Sequence, residues 1–520
     1  MFKNILLTIL ILALGFVGFY FNKKEIHLTS FTSEFVKENT YVSYDERGVA
    51  RIKASTWSDA QFALGYVMAR DRLWQMEVLR RASGGMLSEI FGEKTLKVDK
   101  LMRTLRLRSV VEKQLSKNKI KPEVLLLINP FLKGMNKFIS EGNYPLEFDL
   151  LGLRPNKWTV LDMISISGIV SFSFAEGMIL DSLIASLLND FTKDEIGDLL
   201  IKVKNDFRFK EFKKNKTVIV ENEIFKELSD IIDAFSHPIG FFKGSNSWVV
   251  AGSKTKSKKT MLANDPHIAF SNPSFWYEAS IDTPEHSLYG FYLPGVPFAG
   301  LGHNKFKAWA ITMSQVDDVD VYIEKFNPKN NEEVMVNGVY KPLKKNIETI
   351  KVKGKEDYKH IFYETIHGPL LKNTAYDRDV GLSLKWAYHH PDNNIIQTFY
   401  ELNTFKTLDE LPRVLSHATA PGFNVSAIDS KGNIGWHVMG KIAVRPDGQS
   451  GAFPLEGWSG KHDNFDYLDI DQNPHLYNPE SGYIASANYY PEVDFGRMLN
   501  GQWQPQERIN RLHDILPKKD

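Results

Sequence analysis

The chain has 520 residues, of which 43% are hydrophobic and 24% charged; 64 Lys plus Arg face 63 Asp plus Glu, a formal net charge of +1, and there is no cysteine. That length predicts two or three domains or one large fold, and that composition supplies a full hydrophobic core and excludes wholesale disorder. The even charge argues against a dedicated nucleic-acid binder, and the missing thiols exclude disulfide scaffolds, thiolate zinc sites and cysteine nucleophiles.

Taken in chain order, the first element is residues 5–21, an uncharged apolar run with one hydroxyl, Thr8, preceded by Lys3 and followed by Lys23 and Lys24. A membrane-crossing helix needs about 17–25 such residues. The run ends Phe19-Tyr20-Phe21 instead of the small residues of a cleavage site. Residues 1–24 therefore read as an uncleaved signal-anchor, with the body on the periplasmic or cell-surface side of a membrane. Residues 41–52 read as two short strands around a turn at Glu46-Arg47-Gly48. Ser58-Asp59 looks like a helix start, and Ala60, Ala63, Leu64, Val67, Met68 and Leu73 recur at helical spacing, so 59–82 is predicted helical. Helical patterns continue through 98–141 and 160–190, making 25–200 a mainly helical region. Six lysines crowd 202–216, and 201–244 reads as a charged linker.

From 245 to 520 the pattern is strand and turn. Residues 247–251 and 260–263 flank a polar turn; 308–312 and 319–324 are further strands; 424–428 and 434–439 flank a hairpin turn at 429–433. Helices first and strands later predict an α+β layered protein. Several motifs fail on inspection. Gly435 to Lys441 fits the start of a phosphate-binding loop, but Ile442 stands where a hydroxyl is needed, and the segment reads as strand. Ser116 and Ser253 each precede a lysine by three residues, a match expected by chance in a lysine-rich chain. His389-His390 would alternate faces on a strand and suit no single metal.

One segment carries chemistry. Lys243-Gly244-Ser245-Asn246-Ser247-Trp248 is followed by Ala263-Asn264-Asp265-Pro266-His267, by Pro273-Ser274-Phe275-Trp276-Tyr277-Glu278, and by Asp317-Asp318-Val319-Asp320. Upstream stand Arg70-Asp71-Arg72-Leu73-Trp74-Gln75-Met76-Glu77 and Pro155-x-x-Trp158; downstream stand His367-Gly368-Pro369, Asn424, and Asn478-Pro479-x-x-Gly482-Tyr483-Ile484-Ala485. In this order, over roughly residues 40–515, they resemble the penicillin acylase family of N-terminal-nucleophile hydrolases, which includes acyl-homoserine-lactone and cephalosporin acylases.

The resemblance implies a four-layer αββα sandwich with a mainly helical N-terminal chain. It also implies autocatalytic cleavage between Gly244 and Ser245. A freed Ser245 would carry nucleophile and base together, because an α-amine with a pKa of about 7.7–8.0 is partly neutral near pH 7 and can take the hydroxyl proton. By position Asn424 corresponds to the family's side-chain oxyanion donor and Met313 to its backbone donor, His267 lies beside Ser245, and Arg445 is a candidate to hold Asn424. Read without the resemblance, Asn424 could satisfy a turn, His267 could be a loop histidine and Arg445 a structural ion-pair residue. Asp317, Asp320 and the carbonyl of Val319 match the family's structural calcium site, with Asp181 or Glu176 as the ligand from the helical region; a solvated acidic turn is the plain alternative. No organic cofactor is implied.

Family members continue well beyond Gln502-Trp503 and Arg508-Ile509-Asn510-Arg511-Leu512, so the sandwich here is expected to be short of strands. A separate partner chain, a truncated reading frame and a different closure all stay open. The leading function is a membrane-anchored, extracytoplasmic amidohydrolase acting on a small acyl amide of penicillin or acyl-homoserine-lactone type. The alternative is an inactive or split-enzyme acylase-like binding protein, and a weaker third reading is a penicillin-binding-type serine enzyme using Ser116 or Ser253.

Overall fold

The computed structural model describes residues 33–518 except 118, 188–189, 193–194, 197, 199–241, 372–379, 446–450, 464–465, 492 and 494–498. The predicted signal-anchor at 1–24 lies outside the described residues, as does nearly all of the predicted linker. Among the described residues no helix is long and apolar enough to cross a membrane.

Helix α1, Trp57–Gly84, is the axis of the N-terminal half. It begins two residues before the predicted start, because the Thr56 hydroxyl accepts the Asp59 amide at 3.0 Å and so satisfies a donor of the first turn. Leu64, Val67, Met68, Leu73 and Met76 are fully buried along it, each burial stabilising by about 1.5–3 kcal/mol. Its partner is α2, Pro122–Glu141, and the two approach backbone to backbone through Gly65 and Gly134. A Cβ at Gly65 would overlap the Phe131 carbonyl, and one at Gly134 the Phe62 carbonyl. The predicted helical stretch 98–141 is broken before α2 into Leu96–Thr104 and Leu107–Ser116, with Arg106 in the left-handed region between them. The stretch 160–190 divides at Ala175 into α3, Val160–Phe174, with a Thr159/Asp162 capping box, and α4, Glu176–Leu187.

The strands include β1 (Tyr41–Tyr44), β2 (Ala50–Lys53), β3 (Phe242–Val250), β4 (Met261–Ile268), β5 (Tyr277–Asp282), β6 (Ser287–Tyr292), β7 (Ala299–Asn304), β8 (Lys307–Met313), β9 (Val319–Asn327), β10 (Val380–Trp386), β11 (Phe423–Asp429), β12 (Ile434–Met439), β13 (His475–Tyr477) and β14 (Tyr483–Ser486). A nine-stranded sheet runs β1-β2-β5-β6-β7-β8-β11-β12-β13. The predicted hairpin at 41–52 forms and joins it, with β2 parallel to β5 in the register Ala50↔Ala279 to Lys53↔Asp282. A three-stranded sheet, β14-β3-β4, contributes the second layer. Ser245, Ser247 and Val249 of β3 are buried, whereas Asn246, Trp248 and Val250 are half-buried, the alternation of a strand with one covered face. The sheets are stitched by polar bonds. Ser247 Oγ meets Ser426 Oγ at 3.0 Å, and the Asn264 amide both donates to Ile311 O and accepts from Ile311 N. Beyond them β9 and β10 pair antiparallel in a smaller sheet.

Helices, a large sheet and a small sheet make an α+β layered protein, as the sequence predicts. Three local readings change. Phe242, Lys243 and Gly244 belong to β3, not to a linker; Asp265-Pro266-His267 lies in strand β4; and His389 closes a short turn, Ala387–His389, with its Nε2 against Leu105 O.

The helix crossing is testable. Gly134→Ala forces the α1 and α2 backbones apart, an overpacking cost of about 1–3 kcal/mol. Its melting temperature should fall by a few degrees, while Ser140→Ala, on the exposed side of the same helix, should leave it unchanged.

Candidate active site

Ser245 is buried at the start of the covered face of β3, opposite Pro266. Its Oγ receives two N–H donors from segments distant in the chain: the backbone amide of Met313 at 3.1 Å and Nδ2 of Asn488 at 3.2 Å. The Ser245 nitrogen donates to Asn488 Oδ1 at 2.5 Å. One asparagine side chain thus holds both ends of the serine, its oxygen on the nitrogen and its amide on the hydroxyl.

A second ring of contacts fixes the donors. Asn488 Nδ2 and Asn424 Nδ2 each donate to Met313 O at 2.9 Å. Trp436 Nε1 donates to Asn424 Oδ1 at 3.1 Å. Arg508 Nη1 binds Ser245 O at 3.0 Å, and its Nη2 binds Asn488 Oδ1 at 3.1 Å and Gln504 Oε1 at 2.6 Å. Gln504 Nε2 in turn holds Lys243 O at 2.8 Å, on the other side of the Gly244–Ser245 bond. A Cβ at Gly244 would lie 3.0 Å from Gln504 Oε1 and 3.3 Å from both Asn488 Oδ1 and His267 Nδ1, so glycine is the residue that lets these three groups close around the bond.

Of the residues singled out in sequence, Met313 stands against Ser245 Oγ. His267 stands beside Gly244 but makes its hydrogen bonds to Asp265 Oδ2 at 3.0 Å and Asn246 Nδ2 at 3.2 Å. Asn424 does not reach Ser245. It sits opposite Thr312 in the β8–β11 ladder, one step back, and braces the Met313 carbonyl. The side-chain donor is Asn488, which the sequence reading missed together with Gln504 and Arg508. A signal existed: Ile484 and Ser486 point inward from β14, and the period of two carries on to Asn488, fully buried with φ +62°.

Arg445 is also elsewhere than expected. Its guanidinium pairs with Asp317 Oδ2 at 2.8 Å and Asp320 Oδ1 at 2.9 Å and makes no hydrogen bond to Asn424. Beside this pair Asp181 is fully buried, and neither of its carboxylate oxygens has a hydrogen-bond partner among the described residues. Burial, then the charges of Asp317 and Asp320, push its pKa well above the usual carboxylate range. Burial likewise raises Asp317 to about 7, against the pull of Arg445. Among the described residues no three acidic or histidine side chains are grouped to hold a metal ion. The side chain of Glu176 lies outside the described residues. Ser116 and Ser253 are exposed, and the Ser116 hydroxyl donates to Lys113 O at the end of its own helix.

Behind Met313 lies an apolar cavity of about 60 Å³. Its walls include Phe275, Trp276, Leu293, Ile311, Phe399 and Phe423. Phe275 clusters with the Met313 side chain, and Trp276 and Leu293 pack against that pair, so the cavity adjoins the serine's backbone donor.

Comparison with known proteins agrees with the motif order. The Penicillin amidase family model matches residues 39–520, and the chain belongs to that family. It is 28% identical over 497 residues to the acyl-homoserine lactone acylase QuiP of Pseudomonas aeruginosa, covering 92% of this chain and 58% of that one. It is 26% identical to the penicillin acylase 2 proenzyme of Pseudomonas sp. strain SE83, over 86% of this chain and 58% of that one, and 24% identical to penicillin G acylase of Escherichia coli, over 91% and 62%. The chain thus spans about three-fifths of the length of these relatives. A solved structure, the thermostable penicillin G acylase of Alcaligenes faecalis, overlaps 53% of this chain with a TM-score of 0.47 and 24% identity.

The two asparagines separate cleanly by experiment. Removing a donor aimed at a developing oxyanion costs about 10²–10³-fold in rate. Under the function proposed below, Asn488→Ala should lose that much acyl-amide hydrolysis, and Asn424→Ala, which only loosens the Met313 carbonyl, should lose markedly less. Initial rates on a chromogenic acyl anilide check the order.

Proposed function

We propose that this chain is a self-processing serine amidohydrolase that removes an acyl group from an amide nitrogen. The observation that supports it best is the convergence of the Met313 amide and Asn488 Nδ2 on Ser245 Oγ, with the Ser245 nitrogen a covalent neighbour of the nucleophile.

In this reading the Gly244–Ser245 bond is cut first, and Ser245 gains a free α-amine. The neutral amine accepts the hydroxyl proton as Oγ attacks the acyl carbon. The resulting oxyanion would take over the Met313 and Asn488 N–H groups that hold Oγ before the attack, a change of hydrogen-bond partner within a braced site. The proton passes to the departing amine, and water then cleaves the acyl-serine ester. Arg508 helps in two ways. It orients Asn488, and its positive charge near the amine disfavours protonation and keeps more of the base neutral near pH 7. His267 borders the cut bond and lines the approach.

The acyl part should be apolar, to suit the cavity behind Met313. The relatives' names place acyl-homoserine lactones and penicillins first among the amides to try. Residues 5–21 are read as a membrane anchor that holds the enzyme on the extracytoplasmic side.

Calcium belongs to the same proposal. Among the described residues Asp181, Asp317 and Asp320 are three buried carboxyl groups near the guanidinium of Arg445; they are not grouped around one point as they stand and burial opposes the charge of Asp181, so a divalent cation would have to draw them together and favour their ionised form. Asp181, Asp317, Asp320 and the Val319 carbonyl would hold it, and its role would be to hold the helical region to the strand region. Added calcium should raise the melting temperature of the chelator-treated protein, and Asp181→Asn should abolish that rise.

Processing is read directly. The exported full chain, separated into membrane and soluble fractions and resolved on a denaturing gel, should give a membrane-held fragment and a second fragment whose N-terminal sequence is Ser-Asn-Ser-Trp. Ser245→Ala should give one uncut band and no hydrolysis. A single intact band from folded wild-type protein would sink the proposal in favour of an acylase-like binding protein.

A further inference from the structure

A further cleft is lined by none of the residues that hold Ser245. It has a volume of about 490 Å³ and lies between helix Leu107–Ser116 and the segment from Trp386 to Pro391. Such a volume is ordinary for a small-molecule site.

Its charge is one-sided. Arg106, Lys113, Lys117, Lys119 and Lys385 line it, and Glu364 is the one carboxylate among the lining residues. Glu364 is already engaged, by Arg106 at 2.5 Å and by Lys344 at 2.9 Å. Lys119 is paired with Asp392 at the rim, and Lys385 donates to Asp463 O. Lys113 and Lys117 are different. Both are exposed at the C-terminal end of this helix, Lys113 in its last turn and Lys117 just past it, and no carboxylate is paired with either among the described residues. Burial together with the charges of Arg106 and Lys344 lowers the pKa of Lys113, so its positive charge is opposed by its surroundings. The rest of the wall is mixed: Gln114, Thr365 and three histidines line it, and Val110, Ile366, Pro369, Trp386, Pro391 and Tyr467 give it an apolar side.

We propose that this cleft binds a small organic polyanion, a molecule with two or more negative charges on a body that has an apolar face. The charges would meet Lys113, Lys117 and Arg106, where charge-assisted bonds are stronger than neutral ones. The body would lie against Trp386 and Tyr467. The site would be separate from the hydrolytic one, and a bound anion would bridge the helical and strand-rich halves.

The test is calorimetric titration of the full chain with α-naphthyl phosphate in low-salt buffer. Wild-type protein should show saturable binding. Lys113→Glu/Lys117→Glu should weaken it by about tenfold or more, the worth of one lost charge-assisted bond. Lys256→Glu/Lys259→Glu, which alters net charge equally on an exposed turn far along the chain, should leave it unchanged. Should the first variant fail to fold, Lys113→Gln/Lys117→Gln replaces it with the same expectation. No saturable binding by wild-type protein, or an equal loss in both pairs of variants, overturns the proposal.

Discussion

Residue Met313 is the point on which the site turns. Its amide points at Ser245 Oγ, and its carbonyl accepts the side-chain amides of Asn424 and Asn488. The end of β8 is thereby pinned from both sides, and segments 68, 111 and 175 residues away in the chain meet on one residue. A backbone donor held this way stays aligned without help from substrate, which is what preorganised charge stabilisation requires. The tie also explains why so many buried hydroxyl and amide side chains gather here. Thr312, Ser426, Ser486 and Asn264 each find a partner across the two sheets, and a polar interlayer is stable only when its members are satisfied.

Much of this was legible in the sequence where the signal is local. The hairpin at 41–52, the long helix from about 59, and the strands flanking residues 429–433 follow from short-range pattern. Ser245 stands out only through the ordered motifs around it, since Gly-Ser-Asn-Ser by itself reads as a turn before a strand. Other features depend on geometry that a linear pattern does not carry. Asn424 and Asn488 are both buried asparagines near strands, and only the sheet register decides that one touches the serine and the other supports its neighbour. Arg445 was misplaced for a related reason. A guanidinium binds whatever carboxylates the fold delivers, and here these are Asp317 and Asp320. Gln504 and Arg508 lie on the far side of the serine, and no spacing within their own segment points there.

The acidic cluster and the basic cleft are electrostatic opposites with the same origin. Both form where the helical half meets the strand-rich half, Asp181 against Asp317 and Asp320, and Arg106 against Glu364. Interfaces between regions of different secondary structure expose side chains of mixed length, and long charged ones fill the gaps that apolar packing leaves. Net charge near zero conceals this local imbalance.

The parallel pairing of β2 with β5 has a consequence of its own. Hydrogen bonds between those strands join a segment near residue 50 to one near residue 280, and α1 packs its apolar face on the same core. Any cut between them turns an intramolecular sheet into an intermolecular one without breaking a single pairing. The product is then a two-chain complex whose halves share one core. Such a complex can be lost by dilution as well as by heat, and once separated it regains its structure only by a concentration-dependent encounter. The uncut chain carries its own partner at high effective concentration, so assembly is easy before a cut and hard after it.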